Sequence, residues 1–82
     1  MDWVNALANE LKLGSLSKHE ADHVLAAARE VAHRVERKAT PLAMYVVGLA
    51  VGRELAGDRG RDDAIEDVIH TLLVRLPADE PD

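Results

Sequence analysis

Residues His19-Glu20-Ala21-Asp22-His23 fit the pattern H-E-x-x-H. Two histidines four apart share one face of a helix, and the glutamate between them can activate a metal-bound water, so the chemistry at stake is metal-assisted hydrolysis. A catalytic zinc needs three protein ligands around an open position. The surrounding residues argue for a different role. Ser17 and Glu20 form an S-x-x-E capping box, which puts His19 and Glu20 in the first turn of a helix and commits the glutamate to the cap's backbone N–H. Zinc proteases carry the motif inside a buried helix with mostly uncharged flanks, whereas here Lys18 precedes it and Asp22 interrupts it. His33 lies more than two turns beyond His23, and His70 belongs to another helix, where Glu66 is its natural i−4 partner. No third ligand is evident. The motif therefore reads as a capped helix start, with no metal, no cofactor and no catalytic residue expected.

Two other clusters are weaker. Gly57-Asp58-Arg59-Gly60-Arg61 precedes a helix as phosphate-cradling loops do, but it lacks the Lys-Ser/Thr ending, and Asp58, Asp62 and Asp63 would repel an anion. Glu30, His33, Arg34 and Arg37 gather on the polar half of one helix, where acid–base chemistry is conceivable and a solvated face is the plainer reading. A third feature concerns packing. Gly48 and Gly52 share a helix face with Tyr45 and Leu55, which lets another backbone approach, although an interior glycine costs about 1 kcal/mol relative to alanine. The plain expectation is that helix two or four crosses there within the monomer. The sharper one is an inter-subunit or partner contact.

The elements that position these residues follow from periodicity and punctuation. Asp2 is expected to cap a helix of about ten residues with Trp3, Val4, Leu7 and Leu11 on one face, stopped by Gly14. Helix two starts at the Ser17 cap and carries Ala21, Val24, Leu25, Ala28, Val31, Ala32 and Val35 to about Arg37. Thr40-Pro41 starts helix three, and Asp62 or Asp63 caps a fourth helix with Ile65, Val68, Ile69, Leu72, Leu73 and Leu76 on one face, ended by Pro77. Helix three is apolar on every side, a pattern of burial all round. The fold class is thus all-α, a four-helix antiparallel bundle with helix three (about 41–55) innermost. Residues 1–76 form a single helical domain, and 77–82 a frayed acidic tail.

Composition narrows the function. The chain of 82 residues has no cysteine, which removes thiolate metal sites and cysteine nucleophiles and suits a reducing cytoplasm. Its net charge of −5 is uneven: residues 1–28 carry −2, 29–57 carry +2 and 58–82 carry −5. An acidic chain without a basic run, with Trp3 and Tyr45 its only aromatic residues, lacks the footprint of nucleic-acid binding. The longest apolar run, residues 41–52, is too short to span a bilayer. A cytoplasmic protein with neither nucleic acid nor membrane as partner is expected.

The segment "EVAHRVERKATPLAMYVVGLAVG", residues 30 to 52, resembles a small bacterial helical domain of unknown function through its Val-Ala-His-x-Val-Glu-Arg, Pro-Leu and Gly-Leu-x-x-Gly elements. The matching positions are Val31, Ala32, His33, Glu36, Arg37, Pro41, Leu42, Tyr45, Gly48, Leu49 and Gly52. In that family the domain occurs alone or behind a nucleotidyltransferase resembling molybdenum cofactor guanylyltransferase. The resemblance implies a place near molybdopterin chemistry and supplies no catalytic assignment. The resulting expectation is a non-enzymatic accessory domain that docks on a protein partner, a nucleotidyltransferase or a molybdenum enzyme, through Tyr45, Gly48, Gly52 and Leu55. One alternative is a small anionic-ligand binder or weak catalyst using His33, Glu36 and Arg37. Another is a structural homodimer.

Overall fold

A computed structural model describes residues 2–78, which form four α-helices: α1 (Asp2–Glu10), α2 (Lys18–Arg34), α3 (Ala39–Ala56) and α4 (Arg61–Arg75). The all-α, four-helix class holds. No helix among the described residues is long and apolar enough to cross a membrane.

Helices α2, α3 and α4 pack pairwise, and α1 stands outside this packing, which stretches the molecule to 44 × 28 × 19 Å. Ala27 of α2, Val47 of α3 and Ile65 and Ile69 of α4 meet at the centre, surrounded by Val24, Met44, Val51, Val68 and Leu72. Small residues let the backbones approach: Ala64 is fully buried and Ala27 almost so. Helix α2 turns Glu20, Ala27 and Val31 inward, so the buried line is rotated away from Leu25, which is exposed. On α1 the expected apolar face is open instead. Trp3, Leu7 and Leu11 are exposed, and only Ala8 is buried.

The placement of helix three as innermost is corrected by burial. Among the described residues of α3 only Val47 is buried, while Leu42, Tyr45, Val46 and Leu49 are all more than half exposed. An 18-residue helix needs neighbours on every side to lie inside, and only α2 and α4 pack on it. Its apolar character therefore extends beyond what the monomer buries.

The helix ends match the expected ones in part. Helix α1 ends at Glu10 and is closed by Lys12, whose φ of 63° is left-handed, with Leu13 N–H donating to Ala8 C=O and Lys12 N–H to Asn9 C=O; this Schellman closure comes two residues before Gly14, which is left-handed as expected (φ 76°). Helix α3 closes the same way at Asp58 (φ 73°), with Arg59 N–H donating to Glu54 C=O and Asp58 N–H to Leu55 C=O. Helix α2 ends at Arg34, short of Arg37. Pro41 is the third residue of α3, where its missing N–H still falls among those without an intrahelical partner. The N-cap of α4 is Gly60, and Asp62 and Asp63 sit in the first turn, where their charge complements the helix dipole. Of the acidic tail assigned to 77–82, only Pro77 and Ala78 lie within the described residues. The Pro77 carbonyl accepts a bond from Arg34 Nε at 2.9 Å, which ties the start of that segment to α2.

Candidate functional site

The start of α2 is built as the capping box requires. Ser17 Oγ accepts from Glu20 N–H at 3.0 Å, and Glu20 Oε1 accepts from Ser17 N–H at 2.8 Å. A second partner comes from α4. Arg61 donates through Nε to Glu20 Oε2 at 2.7 Å and through Nη2 to Oε1 at 3.0 Å, a forked pair, while its Nη1 reaches the Leu13 carbonyl at 2.6 Å. One guanidinium thus joins α2, α4 and the loop after α1. Burial alone would push the Glu20 carboxyl upward, but the Ser17 N–H and the Arg61 guanidinium outweigh it and hold the group below its ordinary value. A carboxylate kept ionised with both oxygens engaged is poorly placed to take a proton from a metal-bound water.

The two histidines of the motif do share a face. Their ring centroids are 4.2 Å apart, and His23 Nδ1 lies 2.9 Å from the His19 carbonyl. The third residue at this point is Glu66 of α4, whose Oε1 is 3.2 Å from His19 Nε2. One ligand atom from each of His19, His23 and Glu66 lies within 4.8 Å of the others. Sequence reasoning paired Glu66 with His70 on its own helix; packing of α2 on α4 turns it toward His19 instead.

The ligand candidates lie at the far end of α2. His33 is in the last turn of α2, while Glu36 and Arg37 follow in the connecting turn, and all three are exposed. The Glu36 and Arg37 carbonyls accept from Ala39 and Thr40 N–H, so this stretch serves as the entry to α3. A groove of about 570 Å³ opens nearby between α2, α3 and α4, with Val35, Ala43, Val46 and Leu72 on its walls, but none of those three residues lines it. The Arg59–Asp67 ion pair, at 2.6 Å, also lies on the groove wall.

Three of the four interaction candidates, Tyr45, Gly48 and Gly52, fall on a face the described residues leave open. Tyr45 is 66 % exposed, and a Cβ added at Gly48 or Gly52 would meet nothing within 4 Å. Among the described residues no helix crosses the glycines, so the plain packing expectation is corrected. Leu55 is half-buried and does not belong to the open strip. Sequence reasoning missed Leu42, Val46 and Leu49 as members of it; with Tyr45 they recur at i, i+3, i+4 and i+7, and the signal was present as apolar character on the side away from Val47. From Leu42 to Gly52 the helix carries no charge.

The family model of a domain of unknown function, DUF6457, matches residues 1–80, and the chain belongs to that family. No curated protein and no solved structure matches the chain.

Proposed function

We propose that this member of a family without an assigned activity is a non-enzymatic interaction domain of the bacterial cytoplasm, docking the outward face of α3 on a protein partner, and that the partner is a nucleotidyltransferase acting on the molybdenum cofactor. The observation that carries the docking face is the uncharged strip of Leu42, Tyr45, Val46 and Leu49, between 57 and 69 % exposed. Four adjacent large apolar side chains on one helix favour burial against a second surface. The partner class rests on the resemblance of residues 30–52 to domains that occur behind such transferases. The engagement of Glu20 supports a role without catalysis.

The test is calorimetric titration of the purified chain with a purified molybdenum cofactor nucleotidyltransferase. Saturable binding weakened at least tenfold by Tyr45→Asp and Leu49→Asp, in variants that keep their helical circular dichroism, is the expected result. Absence of binding would remove this partner, and binding indifferent to both substitutions would remove this face. A second reading, a homodimer through α3, is favoured by the open backbone at Gly48 and Gly52, which permits close approach of an identical helix. Sedimentation over a dilution series separates the two.

A further inference from the structure

We infer that His19, His23 and Glu66 form a binding site for a zinc-class divalent ion at the junction of α2 and α4. Three features of the geometry carry this. First, His19 Nε2 is shielded from water and has no hydrogen-bond partner among the described residues: Glu66 Oε1 lies 3.2 Å away, but the two are not aligned for a hydrogen bond. Two ligand atoms each bound to a tetrahedral zinc at about 2.0–2.1 Å are separated by roughly 3.3 Å. The spacing of this pair is already that of two ligands of one ion.

Second, His23 is held in the tautomer that coordination needs. A backbone carbonyl can only accept, so the 2.9 Å contact makes His23 Nδ1 the donor to His19 C=O and leaves the lone pair of a neutral ring on Nε2. A ligating histidine that donates its other nitrogen to a carbonyl is the usual outer-shell arrangement of zinc sites. Third, the ligand atoms come from two helices and converge: one from each of the three residues lies within 4.8 Å of the others. Closing the separations to a tetrahedral edge asks for a shift of at most roughly 1.5 Å. Side-chain adjustment at exposed Glu66 supplies it without disturbing the His23 contact. Two imidazoles and a carboxylate select zinc over magnesium or calcium, which prefer all-oxygen shells.

The site differs from a protease centre in what surrounds it. Glu20 is engaged by Ser17 and Arg61, so an ion here gains no base from the motif. Its role is to fasten α2 to α4 and to leave a fourth position for water or for a donor from another molecule. This inference is independent of the docking face of α3.

The experiment is titration of the metal-stripped full chain with zinc chloride by calorimetry, and with cobalt(II) by visible absorption, at pH 7.5. The expected result is one ion per chain, tetrahedral cobalt bands, and a melting temperature raised by several degrees with zinc. His23→Ala and Glu66→Gln are each expected to weaken binding at least tenfold and to abolish the zinc-dependent rise in melting temperature, with His70→Ala unchanged. These variants alter partly open side chains and leave the Glu20–Arg61 pair in place, so their folding is checked by circular dichroism before titration. Wild-type chain that shows no saturable binding below millimolar zinc, or His23→Ala that binds as tightly as wild type, would overturn the assignment.

Discussion

The corner where α2 meets α4 and the outer face of α3 invert the usual arrangement. At the corner a carboxylate is buried, with Glu20 at 7 % exposure, and on α3 four large apolar side chains face water. The corner is closed on itself: both Glu20 oxygens, the Ser17 N–H and the Leu13 carbonyl have partners within it. The face has none in the monomer. The contrast teaches that burial in this chain follows available partners more than residue type. Polar groups with partners are inside, and apolar groups without a covering element are outside.

The strongest way to break the comparison is to open the corner. Arg61→Ala leaves a buried carboxylate without its fork and the Leu13 carbonyl without its donor. It is expected to cost about 2–3 kcal/mol in urea denaturation, the lower end for a buried pair because the Arg61 side chain is 35 % exposed. A loss under about 0.5 kcal/mol, the size of an ordinary surface change, would show that the corner does not hold the helices. The same pair sets a pH dependence. The folded Glu20 carboxyl lies below its unfolded value, so its contribution is complete above about pH 4.3 and is lost as pH falls through the lower folded value. Acid unfolding of Glu20→Gln is expected to show a shallower slope in that window.

A second comparison lies within α3 itself. Val47→Ala, on the buried side, removes packing against Ala27, Ile65 and Ile69 and is expected to cost about 1–2 kcal/mol. Leu49→Ser, two residues on and outward, is expected to change stability by less than about 0.5 kcal/mol. Equal losses at the two positions in dilute solution would mean that the outer face is covered in the isolated protein.

How much of this was legible depended on the range of the interaction. The Ser17–Glu20 capping box is local, its two residues three apart, and formed as its residue types require. The stops of α1 and α3 came within about a residue and Gly14 is left-handed as expected, but the residues that close the two helices, Lys12 and Asp58, are non-glycine positions that no local preference singles out, and α2 ends three residues before Arg37. Apolar residues all round α3 read as burial, yet hydrophobicity specifies only a preference. Cover has to come from other elements, and α1, whose amphipathic pattern promised a fourth wall, lies outside the three-helix packing. The pairing of His19 with Glu66 spans two helices whose relative rotation no local pattern encodes.

The Lys12 stop offers a smaller test of the same lesson. A left-handed lysine carries a steric penalty of about 1–2 kcal/mol that glycine avoids, partly offset by glycine's greater freedom when unfolded. Lys12→Gly is expected to stabilise the chain by about 0.5–1 kcal/mol without moving the α1 end, read as a higher denaturation midpoint at unchanged slope.

The smallest effect separates stability from contact on the open strip. An interior helical glycine replaced by alanine where the methyl meets nothing gains about 0.4–1 kcal/mol, chiefly by restricting the unfolded chain. Gly48→Ala meets that condition, so the isolated protein is expected to become slightly more stable. If a second surface lies close against the backbone at Gly48, the same methyl must push it away, and association weakens as the monomer stabilises. Opposite signs in the denaturation midpoint and the binding constant would therefore mark Gly48 as a contact residue, because a glycine needed only for the fold would lose stability on substitution. A gain in stability with unchanged binding would place the contact on Leu42, Tyr45, Val46 and Leu49 alone.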